Sequence, residues 1–238
     1  AAQEQETPAP KTYKIYAVCD AHLDTQWNWD LTHTIREYIP RILFQNLWML
    51  ERYPDYKFNF EGGIIYRWMK EYYPLHYARL QKYIDEGRWH ISGASWNAND
   101  PNMPSAESFF RNILLGQEFY KKEFGVRSTD IFLPDCFGFG YTLPSLAAHC
   151  GLIGFSTQKL SWRKHDFFPD APYHKKNPFS WGVWYGIDGQ SLMAAFDTGG
   201  YTAELPADAG YNKDFIRRAS NGFDNTAMRY YSGGHLHG

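Results

Sequence analysis

The sequence is poor in cysteine and contains no long apolar run. Its three cysteines, Cys19, Cys136 and Cys150, form no CxxC pair, which argues against a zinc ribbon and against a disulfide framework. No stretch of about 18 apolar residues occurs, so no membrane-spanning segment is predicted. The chain also lacks a block of lysine or arginine, and its formal net charge is −2. A nucleic-acid partner is therefore not expected.

Aromatic residues, in contrast, are abundant. They make up 18% of the 238 residues and include 9 tryptophans and 18 tyrosines. Tryptophan and tyrosine beside carboxylates often line carbohydrate sites, where the rings pack on sugar faces, but an aromatic-rich core would give the same composition. Composition alone favours neither interpretation.

The first residues, AAQEQETPAP, are polar, contain proline and do not begin with methionine. This composition is typical of a disordered lead, which we predict over residues 1–12. It also resembles a mature N-terminus left after removal of a signal peptide, which predicts an exported (periplasmic or secreted) protein, although a trimmed sequence would look the same.

Short strands alternate with helices through about residue 160. The alternation predicts an α/β fold with a parallel sheet or barrel. A β-hairpin with Asp-Gly in its turn is predicted at residues 179–196 and a further helix at 212–220. The strands of the alternating part are predicted at 13–19, 57–61, 89–93, 131–133 and 152–157, and its main helices at 34–53, 105–124 and 143–149.

Asp135 follows directly on a short apolar strand. The strand is predicted to end at Leu133, because the next residue, Pro134, cannot donate to a sheet ladder. Strand, glycine-rich turn, helix and strand together predict a βαβ unit. Chemistry in α/β folds usually lies on loops at the C-terminal ends of parallel strands, which makes Asp135 a candidate site residue. An aspartate that only caps the next helix is the alternative interpretation.

His22 and Asp24 follow the first predicted strand and are two positions apart. In extended backbone, residues i and i+2 point to the same face, so the imidazole and the carboxylate can converge on one cation. With Asp135 at a second strand end, three nitrogen and oxygen ligands suit a zinc ion with an open coordination position. The alternative is that His22 bonds a backbone carbonyl and Asp24 caps the following turn. The polar loop at 94–102 is a further candidate for substrate contacts.

Four blocks in this order resemble the class II α-mannosidases, the retaining zinc-dependent glycoside hydrolases of family 38. The resemblance covers nearly the whole chain and implies that residues 13–238 are the N-terminal portion of the catalytic domain, truncated at its C-terminal end. The implied fold is a (β/α) barrel-like domain of the seven-stranded glycosidase type. The four blocks are HLDTQW at 22–27, NMPSAES at 102–108, LPDCFGFG at 133–140 and FSTQKLSW at 155–162.

The resemblance also implies roles for individual residues. His22, Asp24 and Asp135 would bind one Zn²⁺, and Asp135 would in addition be the catalytic nucleophile that forms a covalent mannosyl-enzyme. Trp27 and Phe137 would form aromatic walls of the sugar site, and Lys159 matches a basic position near the nucleophile. The implied substrate is terminal α-linked mannose in an oligosaccharide or N-glycan, and a homo-oligomer is compatible with the resemblance.

The sequence departs from the family pattern at two places. The family commonly has a second histidine two residues before the ligand histidine, where this sequence has Asp20. The glycine-rich segment at 232–237 lacks the Asp or Asn of bacterial-type members, so no general acid is identified. A further zinc-ligating histidine is expected beyond residue 238, with His235 or His237 as less favoured substitutes.

Two other functions are compatible with the same residues. A metal-dependent carbohydrate deacetylase also uses Asp and His ligands at strand ends; there Asp135 would be a ligand or a base, and water the nucleophile. A non-catalytic glycan-binding domain would explain the missing acid.

Overall fold

The structure, a computed structural model, describes residues 18–157 and 181–196. Across these two ranges, no helix combines the length and the apolar character that crossing a bilayer requires. Several predictions fall outside the described residues: the lead at 1–12, most of the first strand, Lys159, the helix at 212–220 and the segment at 232–237.

The first half of the described chain forms a parallel three-stranded sheet with helices between its strands. Strands β1 (Cys19–Asp20), β2 (Phe58–Phe60) and β3 (Trp89–Ile91) lie in sequence order. Between β1 and β2, one continuous helical region includes α1 (Leu31–His33), a π-helical stretch (Thr34–Tyr38) and α2 (Ile39–Arg52). Between β2 and β3 lie α3 (Gly63–Tyr72), α4 (Pro74–Tyr77) and α5 (Leu80–Asp85).

The second half forms a four-stranded sheet from β4 (Asp130–Phe132), β5 (Gly154–Thr157), β6 (Trp181–Tyr185) and β7 (Ser191–Phe196). These strands lie in the order β4-β5-β7-β6. Strands β4, β5 and β7 are parallel, whereas β6 pairs with β7 in the predicted antiparallel hairpin. The long helix α6 (Ala106–Phe124) leads from β3 to β4, and α7 (Leu143–His149) connects β4 to β5.

Helix α6 begins and ends where its sequence signals predict. The hydroxyl of Ser105 accepts a hydrogen bond from the backbone N–H of Ser108, which satisfies one of the orphan donors of the first turn. Gly125 follows the last turn with φ 71°, the left-handed conformation that terminates helices and favours glycine.

The α/β class predicted from the sequence is confirmed, and the seven-stranded barrel stays a prediction. The described strands form two small open sheets. Some strands are shorter than predicted. For example, β2 was expected over 57–61 but has ladder partners only from Phe58 to Phe60.

Two hydrophobic clusters support the two sheets, and α6 contributes to both. Phe109 and Ile113, in its first half, belong to the cluster under β4, β5 and β7. Tyr120 and Phe124, in its last half, belong to the cluster of the first sheet and α2–α5. Burial of these four large side chains on one helix fixes the two sheets relative to each other.

Asp130 connects the two sheets at the exit of β3. Its backbone carbonyl accepts a hydrogen bond from Ala94 N at 2.9 Å. Its carboxylate accepts from Ser92 Oγ at 3.2 Å, Gly93 N at 3.3 Å and Ser128 Oγ at 2.9 Å. The residues that leave β3 are thereby held against the start of β4.

Candidate active site

The three predicted metal ligands lie close together, just after strands β1 and β4. The ligand atoms of His22, Asp24 and Asp135 all lie within 4.8 Å of one another. His22 Nε2 is 3.3 Å from Asp24 Oδ1 and 3.9 Å from Asp135 Oδ2. His22 and Asp24 follow β1, whereas Asp135 follows β4, so the cluster joins the two sheets.

The geometry and the donor types fit a divalent metal ion. Ligands at zinc–nitrogen and zinc–oxygen bond lengths around a tetrahedral ion lie ~3.3 Å apart. The His22 and Asp24 atoms have this separation, and the His22 and Asp135 atoms are 3.9 Å apart. One imidazole nitrogen and two carboxylates form a donor set that zinc accepts, and that cobalt or manganese also accepts. His22, Asp24 and Asp135 are therefore a group of described residues that could hold a cation.

Glu61, the last residue of the strand predicted at 57–61, lies directly beside this cluster without being one of the three candidate ligands. It follows β2 directly, and its Oε1 lies 3.1 Å from His22 Nδ1. Both side chains are 7% exposed. The imidazole of His22 thus lies between Glu61 on one side and Asp24 and Asp135 on the other.

The carboxylates around His22 strongly favour its protonated form. Burial alone lowers the pKa of His22, but hydrogen bonds to Asp24 and Glu61 and their charges outweigh it and raise the pKa to about 10. For Glu61 the effect of burial is opposite in sign: burial raises the pKa of its carboxyl, and the contact with His22 offsets only part of that effect.

We expect metal binding to release a proton from His22 at neutral pH. A raised pKa means that the metal-free site keeps this histidine protonated up to about pH 10, whereas a metal ligand must be deprotonated. Affinity for Co²⁺ should therefore rise by about tenfold per pH unit between about pH 6.5 and about pH 8. Calorimetric titrations in two buffers of different ionisation enthalpy measure the released proton. Equal heats in both buffers would contradict the prediction.

A cavity of about 200 Å³ opens over the cluster. This is smaller than the roughly 300 Å³ at which sites for drug-sized ligands begin, and it is suited to a small ligand such as one sugar ring. Of the two predicted aromatic walls, Phe137 lines this cavity and is 72% exposed. The other lining residues are His22, Asp24, Ala98, Asn99, Asp100, Asn102, Leu133, Pro134, Asp135 and Cys136.

Trp27, the other predicted wall, lines a separate hollow of about 430 Å³ together with Trp29 and His33. Its side chain is 60% exposed, and its ring packs edge-on against Trp29 at 5.8 Å. Thr34 fixes this segment by accepting from Trp29 Nε1 and donating to Thr25 O, both at 2.8 Å. Its role as a wall of the same subsite stays a prediction.

The polar loop at 94–102 forms the other side of the cavity, and α6 determines its position. Asn112 donates from Nδ2 to Asn97 O at 2.8 Å, and it accepts from Asn97 N at Oδ1 at 3.0 Å. Its amide also contacts Asn99 Oδ1. Asn102 Nδ2 donates to Gly138 O at 2.9 Å, which ties this loop to the segment that carries Asp135.

Gly116 lets the backbone of this loop contact α6 directly. A Cβ at position 116 would lie 2.2 Å from Ala94 O, 2.5 Å from Ser95 C and 2.7 Å from Trp96 N. All three are backbone atoms, which cannot rotate away as a side chain can. The site loop is therefore packed as closely on α6 as the absence of a side chain allows.

Cys136, next to Asp135, is not suited to act as a thiolate nucleophile. Its Sγ donates to Asn99 O at 2.9 Å. Burial, together with the negative charges of Glu61, Asp100 and Asp135, raises the pKa of its thiol to about 12. Near neutral pH the thiol is protonated, so the carboxylates are the reactive groups of this cavity.

A family model supplies the deciding observation. The model described as the N-terminal domain of the glycosyl hydrolases of family 38 matches residues 12–229. The chain belongs to glycosyl hydrolase family 38. This confirms the resemblance inferred from the four sequence blocks.

Relatives and solved structures agree with membership of family 38. Alpha-mannosidase G of Dictyostelium discoideum is 35% identical over 230 residues, which cover 93% of this chain and 19% of the relative. An alpha-mannosidase of Saccharomyces cerevisiae is 32% identical over 222 residues, covering 92% and 19%. The crystal structure of an alpha-mannosidase from Enterococcus faecalis superposes with a TM-score of 0.69 at 22% identity, covering 92% of this chain and 24% of that one.

The chain spans about a fifth of the length of these family 38 relatives. Its described residues include two segments that follow strands and carry the candidate ligands, one with His22 and Asp24 and one with Asp135. They also include Phe137, an aromatic residue that lines the cavity.

Proposed function

We propose that the protein acts as a zinc-dependent, retaining α-mannosidase and that this chain contributes the nucleophile and three of the zinc ligands. The observation that carries the proposal is the convergence of His22, Asp24 and Asp135 at the base of a sugar-sized cavity. Membership of family 38 and the names of its relatives support the reaction class. The substrate would be terminal α-linked mannose in an oligosaccharide or N-glycan.

Asp135 would begin the reaction by attacking the anomeric carbon. A carboxylate oxygen forms a bond to that carbon while the glycosidic bond breaks, and the departing oxygen takes a proton from a second carboxylic acid. Water then attacks the same carbon, gives its proton to the second carboxylate and releases Asp135, so the configuration is retained. That second residue is not assigned among the described residues.

The other cavity residues would bind and orient the sugar. Phe137 offers an exposed aromatic face against which apolar C–H groups of the ring can pack. Asp24 and His22 would bind Zn²⁺, which when present polarises sugar hydroxyls and stabilises negative charge beside the nucleophile. Trp27 and Lys159 would extend the subsite, and segments outside the described residues would complete a seven-stranded barrel.

Metal content and the stereochemistry of hydrolysis test the proposal together. We expect the full-length protein to bind one zinc ion and to release α-mannose first from an aryl α-mannoside, as followed by proton NMR. Dialysis against a chelator should abolish turnover, and Zn²⁺ should restore it. First release of β-mannose would refute the retaining mechanism.

A metal-dependent carbohydrate deacetylase is the second candidate. It is favoured by the same cluster, because one histidine and two carboxylates would equally activate a water molecule for attack on an acetyl group. Release of acetate from an acetylated sugar, with no hydrolysis of the aryl mannoside, would favour it. Bound mannose with neither reaction would indicate a glycan-binding protein.

A further inference from the structure

We propose that Glu61 is a positioning residue for the metal centre and fixes the imidazole of His22 in the tautomer and orientation that direct Nε2 to the ion. The inference rests on the proposed function, because it requires His22 to be a ligand. It adds a residue that lies outside the ligand cluster and acts only through His22.

The positions of the strands bring Glu61 to His22. Strands β1 and β2 are parallel neighbours with Cys19 opposite Phe58 and Asp20 opposite Asn59. The residues that leave the two strands are therefore adjacent at one sheet edge. There Glu61 Oε1 lies 3.1 Å from His22 Nδ1, within hydrogen-bond distance.

The neighbouring backbone leaves room for this side chain. Gly93, which follows β3, has φ 68°, and a Cβ at its position would lie 3.3 Å from both Cβ and Oε2 of Glu61. Glu61 is buried, so bulk water does not compete for the carboxylate. A buried carboxylate held against one ring nitrogen restricts the ring to one orientation.

The hydrogen bond selects the tautomer that metal binding needs. A neutral imidazole carries one proton, and an acceptor at Nδ1 places that proton there. The lone pair is then at Nε2, the nitrogen that faces Asp24 at 3.3 Å and Asp135 at 3.9 Å. Partners of this kind also raise the basicity of the ligand, and their loss typically costs about 10- to 100-fold in metal affinity.

A purely structural ion pair between Glu61 and His22 is the competing explanation. It predicts that substitution of Glu61 lowers thermal stability but leaves the affinity and the coordination of a bound metal unchanged. Metal affinity and the absorption spectrum of bound Co²⁺ therefore separate the two explanations, and neither depends on turnover.

The test compares Glu61→Gln and Glu61→Leu with the wild type, each as full-length metal-free protein. Gln retains an acceptor for Nδ1 but lacks the charge, whereas Leu removes the acceptor at similar size. We expect the dissociation constant for Zn²⁺ to rise about tenfold with Gln and about 100-fold with Leu. The visible Co²⁺ bands should change in the Leu variant.

Glu123→Gln is the matched control. Glu123 is a carboxylate whose side chain is 13% exposed, and it accepts hydrogen bonds from Lys70 Nζ at 2.6 Å and from Tyr77 Oη at 3.3 Å. None of these residues lines the cavity, so the substitution should lower the melting temperature with wild-type zinc affinity. An unchanged dissociation constant in Glu61→Gln would overturn the inference, as would an equal loss in Glu123→Gln. If Glu61→Leu does not fold, the Gln variant decides. A wild type that binds no metal would overturn the inference together with the proposed metal site.

Discussion

Asp135→Asn is expected to lower kcat on an aryl α-mannoside by about 10⁴-fold or more, the order of loss when an indispensable catalytic group is removed. The amide has nearly the same shape as the carboxylate, and the side chain is 27% exposed, so the fold should persist. The amide oxygen, however, is a poor nucleophile toward the anomeric carbon. Turnover near the wild-type rate would refute the role of Asp135.

Asp135 is proposed both as a ligand and as the nucleophile, so zinc content has to be measured in the same preparations. Loss of kcat at full zinc occupancy would separate the nucleophile from the ligand. A fluorinated α-mannoside whose covalent intermediate hydrolyses slowly should label the peptide that carries Asp135. Asp55→Asn is a suitable control, because Asp55 is exposed and precedes β2, at the opposite end of that strand from Glu61.

Gly116→Ala is expected to destabilise the protein by about 3 kcal/mol, the upper part of the range for overpacked interiors. The added methyl would lie 2.2 Å from Ala94 O, so α6 or the loop at 94–102 has to move. Because this loop lines the cavity, the variant should also bind substrate more weakly, with a raised KM. Denaturant unfolding and steady-state kinetics measure the two effects.

The sign of this effect distinguishes packing from helix propensity. Replacing glycine by alanine within a helix normally stabilises it by up to about 1 kcal/mol. Stabilisation of Gly116→Ala would therefore show that the loop does not pack on α6 as described. Leu115→Ala, at the exposed adjacent position, should change stability by no more than about 0.5 kcal/mol.

The sequence was most informative where a local signal determines the structure. Ser105 and Gly125 predicted both ends of α6, and residues 143–149 were predicted as the helix that the structure shows. The strand-end positions of His22 and Asp135 were also predicted correctly from local patterns. In each case the pattern depends on residues close together in the chain, such as a cap, a proline or an apolar run.

Contacts between distant residues were not predictable in the same way. Glu61 before two glycines looks like an ordinary turn residue, and only the pairing of β1 with β2 brings it to His22. Gly116 in an amphipathic helix looks like a mild loss of helix propensity, because nothing near it in sequence shows that a backbone segment packs there. The π-helical stretch at Thr34–Tyr38 carried no recognised signal either.

The division of the ligands between the two sheets has an evolutionary consequence. His22 and Asp24 follow a strand of the first sheet, and Asp135 follows a strand of the second. Helix α6 lies between β3 and β4 and packs on the clusters of both sheets, so a recombination event there would mismatch α6 with one cluster and also displace the donors. Selection would reject such chimaeras for their folding and for the geometry of the site, so the two halves are expected to be inherited as one unit.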